Sequence, residues 1–219
     1  MHIVSRTARF VRGALLSFGP RWFKKYIWNK EFGEGKWNFI DNTAEDCVYP
    51  PLEKYACKGS ILDLGCGPGN TANELSLTSY STYLGVDISE AALSKATDRT
   101  VMSGRSEKNR FAIGDFLAYE PEGSFDVILF RESMYHVPIG KIKPLLYKYS
   151  GHLSNRGVFM VRLGLVDQKG DTARRPARMI GLIESAFNVV EKQQDKRTGA
   201  VVIVFQPKET HLGPNGSDE

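Results

Sequence analysis

The chain has 219 residues, of which 42% are hydrophobic and 25% charged, enough for one domain with a full core and ordinary for a water-soluble protein. No run of about eighteen apolar residues occurs, so no transmembrane helix is expected. The three cysteines, Cys47, Cys57 and Cys66, are odd in number and lack C-x-x-C spacing, which excludes a disulfide framework and a zinc site and suits a reducing, cytoplasmic setting.

The formal net charge of +4 conceals an asymmetry. Residues 1–30 carry seven Lys or Arg and no Asp or Glu, which leaves 22 basic against 25 acidic residues beyond them, a net of −3. The body of the chain is mildly acidic, so nucleic acid is not the expected partner.

Residues 5–18 have the pattern of an amphipathic helix. Arg6, Arg9 and Arg12 fall on one side, and Phe10, Val11, Ala14, Leu15 and Phe18 on the other. Gly19-Pro20 ends it. Three uses are open for it: docking on the domain, a lid over a site, or peripheral contact with an anionic membrane. An Arg-rich, acid-poor start also has the character of a transit peptide. Residues 21–43 are rich in aromatics, with a bend at Gly33-Glu34-Gly35. Most of these aromatics suit a small N-terminal core, and closure over a bound ligand is the alternative. Pro50-Pro51 suits the first turn of a helix running through Tyr55 and Ala56.

From Ser60 onward, strands alternate with helices. Strands are predicted near 60–64, 81–87, 109–114, 125–130 and 156–163. Helices are predicted near 69–78, 89–102, 139–150 and 173–186. This order implies right-handed crossovers and a doubly wound, Rossmann-like parallel sheet. The last two apolar runs, 187–193 and 200–206, are separated by too few residues for a crossover and must form an antiparallel hairpin. The expected fold is therefore α/β, with seven strands, a C-terminal antiparallel hairpin and a helical N-terminal extension. The expected divisions are an extension or lid over 1–43, the main domain over 44–206, and a polar tail over 207–219.

The first strand, Ile61-Leu62-Asp63-Leu64, runs into Gly65-Cys66-Gly67-Pro68-Gly69. Glycines at alternate positions let a ligand approach bare backbone, and such a turn is expected to point free N–H groups at it. Asp63 closes the strand at its carboxyl end, where open α/β sheets bind ligands. Asp87, eighteen residues after Gly69, closes the second strand, where a carboxylate can hold both hydroxyls of a ribose. The spacing is G-x-G-x-G and not the G-x-G-x-x-G of dinucleotide sites. A ribose carboxylate without the pyrophosphate fingerprint suits a nucleoside that carries no phosphate.

These residues carry a resemblance. Leu62-Asp63-Leu64-Gly65-Cys66-Gly67-Pro68-Gly69 resembles the first motif of the class I S-adenosylmethionine-dependent methyltransferases, and Gly85-Val86-Asp87-Ile88-Ser89 resembles the second. Gly114-Asp115-Phe116 and Phe125-Asp126-Val127-Ile128 resemble the third and fourth. The similarity extends over about residues 45–206, and the stretch Glu31 to Asp41 resembles the lead-in of a bacterial subgroup that accompanies glycan-assembly enzymes.

The resemblance implies S-adenosylmethionine as cofactor and S-adenosylhomocysteine as product. It implies that Asp63 orients the methionine amine, that Gly65, Cys66, Gly67 and Gly69 form the close-approach backbone, and that Asp87 takes the ribose. Ile88 and Phe116 would flank the adenine and Asp115 would accept from its amino group, with helix capping as the alternative for Asp115. The backbone of Arg131, with Trp37 and Tyr49, would complete the cofactor site.

The loop Arg131-Glu132-Ser133-Met134-Tyr135-His136 follows the fourth strand, where the methyl group is presented. The subgroup's pattern here is Asn-Glu-Ser-Leu-Tyr-Tyr, so Arg131 and His136 depart from it. His136 is the candidate general base, since an unperturbed imidazole titrates near ~6.5, and Glu132 is the second candidate. Structural roles for both stay open. Tyr135 and Arg131 are candidate substrate contacts, with pairing of Arg131 to Glu132 as the alternative. Asp126 stands alone in its strand, so no metal is expected. The implied reaction is methyl transfer to a hydroxyl, or an amine, of a small molecule or glycan precursor. A non-catalytic cofactor-binding protein is the rival reading, as is propylamine transfer on the same fold. Substrate contacts are expected from residues 164–175.

Overall fold

The structure, a computed structural model, describes residues 12, 13, 15, 16, 18–38, 43, 45–164 and 174–208. The described residues between 12 and 18 are helical and end at Gly19, whose N–H donates to Leu15 O at 2.8 Å. The rest of the amphipathic stretch predicted over 5–18 lies outside the described residues, as do 165–173 of the predicted substrate loop and 209–219 of the tail.

Seven strands form one sheet: β1 (Ser60–Leu64), β2 (Thr82–Asp87), β3 (Asn109–Ile113), β4 (Phe125–Arg131), β5 (Leu153–Leu163), β6 (Asn188–Gln194) and β7 (Val201–Gln206). The strand order is β3-β2-β1-β4-β5-β7-β6. Strands β3, β2, β1, β4 and β5 run parallel, and β7 is antiparallel to both β5 and β6. The hairpin expected from the short 195–199 connection is therefore present. The chain reverses its winding direction between β1 and β4, and a sheet of this kind opens a crevice there.

Helices cover both faces. Helix α1 is Arg21–Gly33, α2 Tyr49–Ala56, α3 Asn70–Glu74, α4 Glu90–Met102, α5 Ile139–Ser150 and α6 Arg174–Ala186. One core joins the sheet to α5 and α6 through residues such as Ile142, Leu146, Met179 and Ile183. The other joins it to α2 and α3 through Val48, Leu52, Ala72 and Leu75. The central strands are buried on both faces, which is why β1 and β4 read as continuous apolar runs.

The predicted helix over 69–78 is only Asn70–Glu74. Leu75 is extended, and the serine side chains beyond it bond locally: Ser79 Oγ donates to Ser76 O at 2.7 Å, and Ser76 Oγ shares a hydrogen bond with Thr78 Oγ1 at 3.0 Å. Short polar side chains in this way offer the backbone an alternative to helix. Strand β5 begins three residues earlier than predicted, because Gly157 lets it pass Phe125 closely. A Cβ at Gly157 would sit 2.7 Å from Phe125 O.

Helix α1 docks on the start of α4. Asn29 Oδ1 accepts from Ser89 Oγ (2.9 Å) and Ala91 N–H (3.3 Å), and Lys25 pairs with Glu90 at 2.6 Å. Ser89 itself caps α4 by accepting from Ala92 N–H. The aromatics of 21–38 divide between two roles. Trp28, Phe32 and Trp37 stack on one another, with centroids 5.5 to 6.2 Å apart, while Trp22 and Tyr26 face solvent.

Candidate active site

The carboxyl ends of β1, β2 and β4 open into a cavity of about 620 Å3. Its floor is Gly65, Cys66, Gly67 and Pro68, with Asp63 and Asp87 at the strand ends. Ile88, Asp115 and Phe116 form one side. Arg131, Glu132, Tyr135 and His136 form another, and Trp28, Phe32 and Trp37 close over the top.

The glycine turn has three consecutive reasons for its composition. Gly65, Gly67 and Gly69 have φ of 84°, 54° and 73°, a left-handed region costly for other residues. A Cβ at Gly65 would lie 2.5 Å from Ser133 Cβ. A Cβ at Gly67 would meet only Phe32 Cζ at 3.7 Å, so its open side is the cavity itself. Gly69 differs from the expectation. It does not line the cavity, and its Cβ would strike Ala96 Cβ at 2.7 Å, so it permits packing of α4.

The turn does not present free donors, contrary to the expectation from its sequence. Gly65 and Cys66 N–H both donate to Val86 O, Gly67 N–H to Asp87 Oδ2 (2.9 Å), and Gly69 N–H to Cys66 O. With Pro68 lacking a donor, this is no phosphate cradle. It is a flat backbone surface braced by Asp87.

Asp87 also accepts Ser89 N–H through Oδ1 at 2.8 Å. Burial pushes its carboxyl up, and these backbone N–H groups draw it part of the way back. Each carboxylate oxygen accepts more than one bond, so capacity for two hydroxyls remains.

Asp63 is 1% exposed. Its Oδ2 accepts from Tyr83 Oη at 2.6 Å, while its Oδ1 is buried with no partner. Burial pushes the carboxyl up to about 6. A buried carboxylate oxygen without a partner costs free energy and is satisfied by an incoming cation.

The loop after β4 is strained and tied down. Glu132 has φ of 56°, unusual for a residue with a side chain. Its Oε1 accepts from Arg162 Nη1 and Gly164 N–H, both at 2.6 Å. Tyr135 Oη donates to Gly164 O at 2.5 Å. Arg131 does not pair with Glu132. It pairs with Asp46 at 2.9 Å and donates to Tyr49 Oη at 2.9 Å. Arg162 also reaches Asp46, at 3.2 Å. Burial pushes the Asp46 carboxyl up, but the two guanidinium groups outweigh this and hold it low. The Arg131 side chain is thus engaged in a buried bridge rather than presented to an anionic acceptor.

Tyr49 lies outside the cavity wall, correcting its expected place. Its hydroxyl donates to Glu74 Oε2 at 2.7 Å, and neither residue lines the cavity. Asp115 lines the cavity and also caps its own turn, accepting Leu117 N–H at 3.0 Å through Oδ1. His136 lines the cavity with its ring edge-on to Trp28, centroids 5.0 Å apart. Burial lowers its imidazole to about 4, helped by the cations of Arg12, Arg175 and Lys24. The physiological titration expected for it is therefore absent: the ring is neutral at pH 7 and weakly basic.

Sequence reasoning did not single out Lys24, Trp28 and Phe32 as cavity residues, nor the Asp46–Arg162 pair that also lines it. A signal existed for Arg162, a lone charge within the apolar run Val158–Leu163.

Comparison with known proteins fits this geometry. Residues 61–157 match the family model described as a methyltransferase domain. The structure resembles N-methyltransferase NodS from Bradyrhizobium japonicum in complex with S-adenosylhomocysteine, with a TM-score of 0.63 at 18% identity, covering 84% of this chain and 98% of that one. It resembles the DhpI–S-adenosylhomocysteine complex with a TM-score of 0.66 at 15% identity, covering 84% and 95%. Among curated proteins, 27-O-demethylrifamycin SV methyltransferase of Amycolatopsis mediterranei is 26% identical over 119 residues, 51% of this chain and 44% of its own length. Ribosomal protein L11 methyltransferase of Thermotoga maritima is 26% identical over 153 residues, 69% of this chain and 53% of its own. The chain thus spans about half the length of these curated relatives.

The doubly wound sheet, the braced glycine turn and the acidic strand ends define an α/β domain with a cavity at its topological switch point. Residues 61–157 match a methyltransferase domain, and the fold is that of the S-adenosylhomocysteine complexes compared above, which supports S-adenosylmethionine as the cofactor. The residues fit that group: the partnerless Asp63 Oδ1 suits an ammonium, and the open side of Gly67 suits a ligand lying on backbone.

Proposed function

We propose that this chain transfers a methyl group from S-adenosylmethionine to an oxygen of a small molecule with an apolar body. The observation that carries this is the shared cavity, in which the glycine turn and the 131–136 loop face the aromatic wall of α1. Bound S-adenosylmethionine supplies an electrophilic methyl on a sulfonium. Asp63 takes its ammonium, Asp87 its ribose hydroxyls, and Ile88 and Phe116 flank its adenine, with Asp115 at the ring's amino edge. Trp37 covers the site from above. Trp28, Phe32 and Trp37 exclude water, which shortens the list of competing nucleophiles and fixes the acceptor's approach.

The cations that lower His136 also act on an acceptor placed beside it. Lys24 and Arg175, with Arg12 offset by its partner Glu31, favour an ionised hydroxyl and disfavour an ammonium. His136 accepts the hydroxyl's hydrogen bond and orients the oxygen, and an acidic hydroxyl such as a phenol needs no stronger base. Glu132, braced by Arg162 and Gly164, sets the loop's shape rather than removing a proton. The ring of Tyr135 contacts the acceptor. The curated relative acting on a rifamycin is named for an oxygen-linked methyl.

A second reading is favoured by the same low basicity of His136: an uncharged amine has a free lone pair and needs positioning alone. An acceptor panel of phenols, alcohols and amines, read by S-adenosylhomocysteine release, separates the two. Turnover of phenols that falls in His136→Ala supports oxygen transfer. Turnover of amines alone, indifferent to that substitution, supports nitrogen.

A further inference from the structure

The outer side of α1 presents a stripe that the catalytic site does not use. Trp22 and Tyr26 are 70% and 58% exposed, and Phe18, one four-residue step earlier across Gly19-Pro20, is 78% exposed. Lys30 continues the four-residue spacing and is also exposed. On the other side of the same helix, Lys24, Trp28 and Phe32 line the cavity. Monomeric soluble proteins rarely expose aromatics in a row.

We propose that this face of α1 docks on an anionic lipid bilayer, beside the cavity it helps to close. Charge selects that occupant. Helix α1 carries Arg21, Lys24, Lys25 and Lys30 against one acid, Glu31. That acid is already taken by Arg12 at 2.6 Å and by Trp37 Nε1. On the outer side Arg21 has no ion pair among the described residues, Lys30 meets Glu34 only at 3.9 Å, and Lys25 is paired with Glu90. Residues 1–30 hold seven basic and no acidic residues, while the rest of the chain has a net charge of −3. An anionic surface therefore attracts this end of the molecule and repels the remainder, which sets one orientation. The aromatic types agree. Trp and Tyr have apolar bodies with polar tips, and flanking Lys and Arg reach headgroup phosphates. The sequence pointed to residues 5–18 for such a contact; the exposed face lies downstream, on 18–30. Docked this way, the wall formed by Trp28 and Phe32 lies near the bilayer, so an acceptor dissolved in lipid enters the cavity without crossing water.

Flotation tests this with the full chain and vesicles of equal parts phosphatidylcholine and phosphatidylglycerol, compared with pure phosphatidylcholine. The wild type is expected to float with the anionic vesicles only, and to be released by high salt. Trp22→Ser combined with Tyr26→Ser should lower partitioning at least about tenfold. Arg21→Gln combined with Lys30→Gln should lower it by roughly fivefold per residue at low salt. S-adenosylhomocysteine binding unchanged in both variants shows that they are folded, and it separates this test from the catalytic reading. Failure of the wild type to float with anionic vesicles overturns the proposal. So does partitioning that the aromatic double variant retains. A concentration-dependent dimer that this variant abolishes, without flotation, assigns the face to a second copy of the chain instead.

Discussion

Replacing Asp63 by Asn separates binding from stability, because the two should move in opposite directions. In the ligand-free fold, burial holds the Asp63 carboxyl at about 6, against about 3.9 for an unfolded aspartate. The folded state therefore binds this proton more tightly. The contribution of the group to stability is largest below pH ~4 and is lost as pH rises through about 6. A difference of roughly two units corresponds to about 3 kcal/mol at pH 7. An amide of the same shape keeps an acceptor for Tyr83 Oη and removes the buried charge. Its NH2 meets the place where Oδ1 has no partner, which offsets part of the gain. Asp63→Asn should thus leave the ligand-free melting temperature unchanged or raise it by several degrees, at roughly 2–4 °C per kcal/mol for a chain of this size. Affinity should fall, because a charge-assisted bond to the ligand's ammonium contributes about 1.5–3 kcal/mol, or roughly 10- to 150-fold. Wild-type affinity should also rise with pH through about 6 as Asp63 ionises, and the variant should lack that rise. Calorimetry with S-adenosylhomocysteine and melting curves from pH 5 to 8, ~3 units wide, read both effects. Undiminished affinity in Asp63→Asn, or a large fall in its ligand-free stability, would refute the assignment of the orphaned oxygen to an ammonium.

Other substitutions distinguish neighbours in the same loop. Gly69→Ala should lower stability by about 1–3 kcal/mol through its left-handed φ and the clash with Ala96, with cofactor affinity retained in the folded fraction. Gly67→Ala should lose at least about tenfold in affinity by filling cofactor space, for a backbone cost of only ~1–2 kcal/mol; equal effects of the two on both readouts would contradict the division. Asp46→Ala leaves Arg131 and Arg162 buried without their shared carboxylate and should cost about 3–5 kcal/mol, measured by urea unfolding. Because Asp46 is held low in the fold, its contribution is present at neutral pH and lost on acidification below the ordinary aspartate range. With His136 lowered to about 4, the pH–rate profile should show no histidine limb between pH 5 and 8, and a limb near ~6.5 that vanishes in His136→Ala would contradict the buried-histidine picture.

The sheet and the floor of the cavity were legible because their signals are local. Glycines at alternate positions after an apolar run, and Asp63 and Asp87 at strand ends, each report a backbone or chemical need within a few residues. The connection over 195–199 was too short for anything but a hairpin. Three things were not legible. Gly69 looked like its two partners in the motif, and only the approach of Ala96 shows that it serves packing. Arg131 looked free to meet an anion or Glu132, and only the fold brings Asp46 to it from 85 positions away. The titration of His136 depends on burial under Trp28 and on cations from both the N-terminal segment and α6, distances in sequence that no local pattern spans. The aromatic stretch 21–43 was recognised as one group, but the division of its described residues into a cavity wall and an exposed stripe is a property of the docked helix.

The most direct measurement is calorimetric binding of S-adenosylhomocysteine to the wild type and to Asp87→Ala. Asp87 braces the glycine turn at Gly67 and, in the function proposed above, takes the ribose, so its removal acts on both. Micromolar binding by the wild type, weakened by roughly thirtyfold or more in a folded Asp87→Ala protein, is the expected result. A folded wild type that fails to bind, or a variant that binds as tightly as the wild type, would contradict the site described above.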